Sequence, residues 1–344
     1  MKKRKKLMIA MVVFSMLLTT FSFYFWQMFK GSNVLIEKPD QVITIQKGET
    51  FSELRARLYD DLVINDALSF SFVAKVLDYQ EAVKPGVYLF ESGMSNLDIV
   101  RRLRSGDQIP VRMTFNNVRL KGDLAEKITA NIGLDSAQFH QLLDDEVFLE
   151  KYNLNKDNAL SVFLPDTYEV YWTITAEELF DKMYKAHEQY WTPARKEKAA
   201  AIGLTPTEVS ILASIVQAET IMSEERPEVA GLYINRLNKN MFLQADPTVK
   251  FALGDFAIQR ILTKDTRVDS PYNTYRNRGL PPGPIGLPSL ASIQSVLNYK
   301  KHDYLYMCAK EDFTGYHAFA KTLREHNRNA AKLHKALNQR MIFR

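Results

Sequence analysis

The sequence predicts an α+β protein: an N-terminal membrane-spanning helix, a small strand–helix domain over residues 42–108, and a larger mixed α/β domain over residues 109–344. Three observations carry this reading. Residues 7–29 form an uncharged apolar run directly behind a basic cluster. From residue 42 onward, short strand-like runs mix with segments of helical apolar period. After residue 270 a Pro/Gly-rich stretch excludes regular structure. The 344 residues exceed one average domain, and 46% apolar with 25% charged residues is the composition of an ordinary globular protein.

Charge placement narrows the function classes. The net charge of +5 resides in Lys2, Lys3, Arg4, Lys5 and Lys6; without them 40 basic residues face 40 acidic ones, so nucleic acid is not an expected partner. The single Cys308 excludes an intrachain disulfide framework and a Cys-rich metal site. It lies in a strand-like run over residues 304–309, which predicts a buried structural thiol. The chain holds no H-E-x-x-H, zinc-spaced Cys/His cluster, G-x-S-x-G elbow, P-loop or dinucleotide fingerprint, so neither a metal nor a cofactor is expected.

Residues 1–6 read as a cytoplasmic tail and residues 7–29 as a single-pass anchor. At about 1.5 Å per residue this run spans roughly 34 Å, enough for a ~30 Å hydrocarbon core. It continues through Phe23, Tyr24, Phe25 and Trp26, an interfacial aromatic belt, and is longer than the apolar core of a cleaved signal peptide. The positive-inside rule leaves the basic cluster in the cytoplasm and sends the body across the membrane. A long signal sequence that is removed is the alternative.

Residues 30–41 read as a linker. Residues 42–45 suggest a strand, 47–50 a turn, 51–58 a helix, 87–90 a strand after Lys84-Pro85-Gly86, and 97–104 a helix with Ile99, Val100 and Leu103 inward. The turn "KGET" after the "ITI" strand resembles the opening of a LysM peptidoglycan-binding module, interrupted by a helical insertion near residues 66–80. A packing domain without glycan affinity is the other reading. Residues 111–115 suggest a strand, and 122–132, 136–144 and 176–199 helices. Between them, Tyr168, Tyr171 and Trp172 beside Asp166 either line a sugar site or belong to the core.

The chemistry concentrates after Gly203. Thr205-Pro206-Thr207-Glu208 opens a helix with a capping box and proline at its first position. Val209, Leu212, Ile215 and Val216 form its apolar stripe, and helical spacing puts Glu219 on the same stripe. A carboxyl buried there would have its pKa raised, as a general acid near neutral pH requires; alternatively it reaches solvent at the helix end. A second helix is expected from Ser223, with Val229, Leu232 and Tyr233 inward, followed by a polar bend over residues 244–248. The stretch over residues 271–285 suits either a rigid wall around a ligand or a loop covering a sheet edge. His317 and His326, on either side of Phe319, either touch a substrate or are satisfied structural histidines, the latter being the preferred reading.

"LASIVQAET" with Glu219, "ER" at 225–226, "INRL" at 234–237, "LQADPT" at 243–248, "YNTY" at 272–275 and "GLPPGPI" at 279–285 closely resemble, in order and spacing, the YceG-like family of endolytic murein transglycosylases. The anchor, the LysM-like piece and "LPDTY" agree as well, so the likeness covers nearly everything after residue 40. One departure is Ser161-Val162, where a glycine is expected just ahead of Phe163. The resemblance implies cleavage of the MurNAc-β-1,4-GlcNAc bond within glycan strands to give 1,6-anhydroMurNAc ends. It assigns Glu219 as catalytic acid and base, and Gln244, Asp246, Asn273, Thr274 and Tyr275 to substrate contact and support of Glu219. It also implies a bacterial cytoplasmic (inner) membrane location, nascent peptidoglycan strands as substrate, and peptidoglycan synthases (penicillin-binding proteins) as partners. Two rivals stand: a muramidase-type hydrolase using Glu219 with Asp246, and a non-catalytic wall-binding scaffold. The basic C-terminal helix, with seven Lys/Arg against one Glu over residues 321–344, reads as a solvated face or as one facing anionic lipid or wall polymer.

Overall fold

A computed structural model describes residues 2–34, 39–258 and 260–339. The chain is a mixed helix and sheet protein of two compact units. The first comprises Met1–Arg112 with Asn131–Leu134 and Glu169–Ile174; the second comprises Met113–Ala130, Asp135–Tyr168 and Thr175–Arg344. The first division falls inside a strand, between Arg112 and Met113. Residues 131–134 and 169–174 return to the first unit, where Gly133 N donates to Trp172 O at 2.8 Å. A Cβ on Gly133 would lie 2.5 Å from the Trp172 ring, so this close approach requires glycine.

In the first unit, α1 (Lys2–Lys30) is, among the described residues, the one helix long and apolar enough by itself to cross a membrane. It is followed by β1 (Gln41–Ile45), α2 (Phe51–Asp60), α3 (Ala67–Val76), β2 (Gly86–Phe90) and α4 (Asn96–Ser105). β1 and β2 pair antiparallel, Gln41 opposite Phe90 and Ile45 opposite Gly86. The Thr50–Glu53 capping box starts α2, and Glu49 in the preceding turn holds Arg57 at 2.7 Å. α3 is the expected insertion, N-capped by Asp66; α4 is capped by Ser95 and stops at Gly106, whose φ of 79° is left-handed. Ile43, Ile45, Leu54, Leu58, Phe70, Val73, Tyr88, Phe90, Ile99, Val100 and Leu103 form the core. The expected linker is docked where it is described: Ser32 and Val34 form bridges with Ser95 and Ile64, and Val34 is buried. Leu35, Ile36, Glu37 and Lys38 of that linker lie outside the described residues, as do Met1 and residues 340–344 at the end of the basic tail.

The second unit opens with β3 (Val111–Phe115), α5 (Lys121–Thr129), α6 (Ser136–Leu142) and α7 (Glu146–Glu150), then β4 (Asp166–Val170), which pairs with β3. Phe115, Phe139 and Phe180 each pack a ring against Phe163 here. The single helix expected over 176–199 is two: α8 (Ala176–Tyr190) ends at buried Trp191, and α9 (Pro193–Ala201) restarts with Thr192 as cap and Pro193 in its first turn. α10 (Pro206–Glu219) carries the expected Thr205–Glu208 capping box. It is not striped: Val209–Val216 is buried on every side, enclosed by α9, α11 (Arg226–Asn238), α12 (Asp246–Leu253) and α13 (Leu290–Leu297). The helix expected from Ser223 begins as a 3-10 turn over Ser223–Glu225, and α11 proper starts at Arg226 ahead of Pro227. β5 (Tyr306–Ala309) and β6 (His317–Ala320) form an antiparallel hairpin, Ala309 opposite His317, against which α14 (Leu323–Gln339) packs.

Candidate active site

Glu219 is the last residue of α10, and the buried column of Val209–Val216 behind it fixes where its side chain emerges. The chain breaks sharply at Thr220, which is extended with φ −134° and ψ 134°. The side chain opens into a cavity of about 260 Å³ within the second unit. Its Oε2 is shielded from water and has no hydrogen-bond partner. Burial pushes the carboxyl up to about 7; Asp246 adds to the rise, while His317, the nearby Tyr233 hydroxyl and Arg236 oppose it. A helix C-terminus also disfavours negative charge on this residue.

α11 supplies one wall, presenting Leu232, Tyr233 and Arg236 at helical spacing. Arg236 is buried and spans two segments, donating through Nε to Leu305 O and through Nη1 to Leu243 O, both at 2.6 Å. Gln244 and Asp246 form the next wall. Gln244 adopts a left-handed φ of 49°, and its N–H donates to Thr274 O at 3.1 Å. Asp246 Oδ1 accepts from the Tyr275 hydroxyl at 2.6 Å, and burial together with this bond keeps that phenol protonated.

The β5–β6 hairpin closes the cavity with Met307, Cys308, Ala309 and His317. His317 is held by a buried glutamate, Glu225, only 4% exposed. Glu225 accepts from His317 N at 2.6 Å, meets His317 Nδ1 at 2.7 Å, and accepts from the Thr220 hydroxyl at 3.0 Å. Glu225 thus fixes the His317 ring at the cavity wall through both backbone and side chain.

Of the residues singled out by sequence, Glu219, Gln244, Asp246 and Tyr275 meet in one cavity. Asn273 and Thr274 do not line it. Both are buried behind the wall, where Asn273 fastens the loop through Thr266 O and Val268 O and Thr274 joins Thr248 and Ala245. Cys308 sits on the expected strand but is half-buried and faces the cavity, because β5 is an outer strand of a two-stranded hairpin. Tyr168, Tyr171 and Trp172 take no part: Tyr168 stacks on Phe115 at 5.6 Å, Trp172 covers Gly133, and Tyr171 points outward. Residues 279–285 line other clefts and act as a brace, with Ile285 N donating to Ser214 Oγ on α10 at 3.1 Å. Sequence reasoning missed the pairing of Glu225 with His317; the residues are 92 positions apart, and no spacing links them.

Residues 43–332 match the model of the YceG-like family. A protein of Streptococcus pneumoniae serotype 2 named endolytic murein transglycosylase is 30% identical over 95% of this chain and 65% of its own length. A Bacillus subtilis protein of the same name is 31% identical, covering 87% of this chain and 86% of itself. This chain thus spans about 65% of the length of the pneumococcal relatives it matches. A solved structure of a YceG-like protein from Listeria monocytogenes shares 30% identity at a TM-score of 0.56, covering 85% of this chain and 99% of that one. This chain belongs to the YceG-like family.

Proposed function

We propose that this chain is a membrane-anchored lytic transglycosylase that cuts peptidoglycan strands internally and leaves 1,6-anhydroMurNAc ends. The observation that carries the reading is Glu219, a carboxyl raised to about 7 with an unpartnered, water-shielded Oε2 in a cavity. Such a group is protonated often enough at neutral pH to act as an acid, and close enough to its pKa to act next as a base. The names of the relatives and the family match support the substrate class.

In the first step Glu219 gives its proton to the GlcNAc O4 as the MurNAc C1–O4 bond breaks. In the second, the resulting carboxylate takes the proton from the muramyl 6-hydroxyl while O6 bonds to C1. The substrate supplies its own nucleophile, the proton returns to Glu219, and no water is consumed. We assign Gln244, Asp246 and Tyr275, which line the cavity, to contact with sugar hydroxyls. His317, fixed by Glu225, opposes the rise in the Glu219 pKa and so favours the carboxylate of the second step.

Asp246 lines the same cavity and is the natural second carboxylate of a hydrolase. Its Oδ1 is engaged by the Tyr275 hydroxyl, which weakens it as a nucleophile and favours the single-carboxyl mechanism. We read residues 42–108 as the LysM-like domain and 109–344 as the catalytic domain. β1, the turn over residues 47–50 and capped α2 supply the strand–turn–helix on which the LysM likeness rests. The α1 helix, which opens with five basic residues and continues as an uncharged apolar run, supports a single-pass anchor in the cytoplasmic membrane, with the body outside and near the synthases that deliver nascent strands.

Mass spectrometry of glycan strands digested by the full chain, beside Glu219→Gln, tests the reading. Internal fragments with anhydro ends from the wild type alone are expected. Reducing ends would move the assignment to a hydrolase using Asp246. Equal binding without cleavage by both proteins would leave a scaffold.

A further inference from the structure

The first unit carries an apolar surface that its own fold leaves uncovered. On α3, Phe70, Val73 and Ala74 enter the core, whereas Leu68, Phe72 and Val76 are 80%, 40% and 51% exposed. These three recur every fourth residue and so form one outward stripe. The stripe adjoins α1: the Phe72 ring meets Phe25 and Phe29 edge-on, each at 6.2 Å. Hydrogen bonds of the buried Asn33 and Asn96 side chains fasten the junction. Asn33 Oδ1 accepts from Asn65 N and Asp66 N at 3.0 and 2.6 Å, Asn33 Nδ2 donates to Asn96 Oδ1 at 2.5 Å, and Asn96 Nδ2 donates to Met28 O at 2.9 Å.

Helix arithmetic sets the depth of this junction. Counting from Leu7, about 20 residues at ~1.5 Å each cross a ~30 Å hydrocarbon core and end near Trp26. The Phe25–Phe72 contact therefore falls where hydrocarbon gives way to headgroups, the level marked by exposed Tyr24 and Trp26. We propose that the Leu68–Phe72–Val76 face of α3 lies in the outer interface of the bilayer that α1 crosses, covered by lipid. Exposed Lys75 extends from the same helix toward headgroup phosphate. The first unit is then attached at two points, a spanning helix and an interfacial one, which fixes its orientation on the membrane.

This proposal rests on α1 being a retained anchor, and the test separates the two. The full chain, with Cys308→Ser and one of Leu68→Cys, Val76→Cys or Leu17→Cys, is labelled with an environment-sensitive fluorophore. It is then reconstituted into phosphatidylcholine–phosphatidylglycerol vesicles. Labels at positions 68 and 76 are expected to be quenched by shallow nitroxide lipids and spared by aqueous iodide, and the label at 17 by deep nitroxides. Iodide quenching at 68 and 76 with position 17 still deep would overturn the proposal alone. Protection of 68 and 76 from both quenchers would mean that protein, a second copy or another chain, covers the face, and would overturn the lipid assignment. Iodide reaching position 17 would overturn the anchor reading and the proposal with it.

Discussion

Asn33 and Asn96 in the first unit and Glu219 in the second are all polar groups drawn away from water, and they are treated differently. Asn33 and Asn96 are 3% and 2% exposed, and each side chain finds partners: with each other, with the start of α3 and with the end of α1. Glu219 Oε2 is equally shielded and is given none. The second unit repeats the contrast internally, since Glu225, six residues on, accepts from Thr220 and His317. Satisfied buried groups hold a structure in one arrangement; an unsatisfied one stores a cost that chemistry can use. The asparagine cluster fastens elements, and Glu219 is left ready to exchange a proton.

The contrast predicts opposite outcomes when each cluster is altered. Glu219→Gln should lower the strand-cleavage rate by about 10²–10⁴-fold, with no loss in melting temperature. Linkage adds a second effect. The folded pKa of Glu219, about 7, lies above its ordinary value of 4.5, so its contribution is fully present below pH 4.5 and is lost as pH rises through 7. Denaturant titrations should therefore show Glu219→Gln gaining on the wild type between pH 4.5 and 8, by up to about 3 kcal/mol, and matching it in acid. Asn96→Ala should do the reverse, destabilising the chain by about 1–3 kcal/mol at every pH, because the bonds from Asn96 to Met28 O and from Asn33 Nδ2 to Asn96 are both lost.

Smaller effects sharpen the picture. His317→Asn should cost about tenfold in rate, about 1.4 kcal/mol of barrier, and move the alkaline limb of the pH–rate profile upward. The sign follows from His317 lowering the Glu219 pKa: its removal lets Glu219 keep its proton to higher pH. Thr205→Ala should remove the cap of α10 and cost about 1 kcal/mol of stability, read by denaturation, with the pH profile unmoved.

Local signals were legible in the sequence, and long-range ones were not. The Thr205–Glu208 box, the uncharged run of α1 and the turn before α2 each lie within a few residues, so spacing alone located them. Glu219 was singled out as a carboxyl on an apolar stripe. In the structure the middle of α10, Val209–Val216, is buried on every side, so no stripe exists, and Glu219 enters the cavity from the half-exposed last turn. Pro193 marked the break between α8 and α9, but the helical period on both sides of it masked the stop. Asn273 and Thr274 carried the same polar signature as Tyr275, and only packing decides that they brace the loop while Tyr275 reaches the cavity. The Glu225–His317 pair joins a 3-10 turn to a hairpin strand and has no one-dimensional trace.

The central claim is that Glu219 works alone, with the substrate's own hydroxyl as nucleophile. Digesting glycan strands in ¹⁸O-labelled water and weighing the new ends tests this most directly. The account predicts anhydro ends that carry no label. Ends that carry ¹⁸O at C1 would contradict it, and would make water the nucleophile and Asp246 its partner.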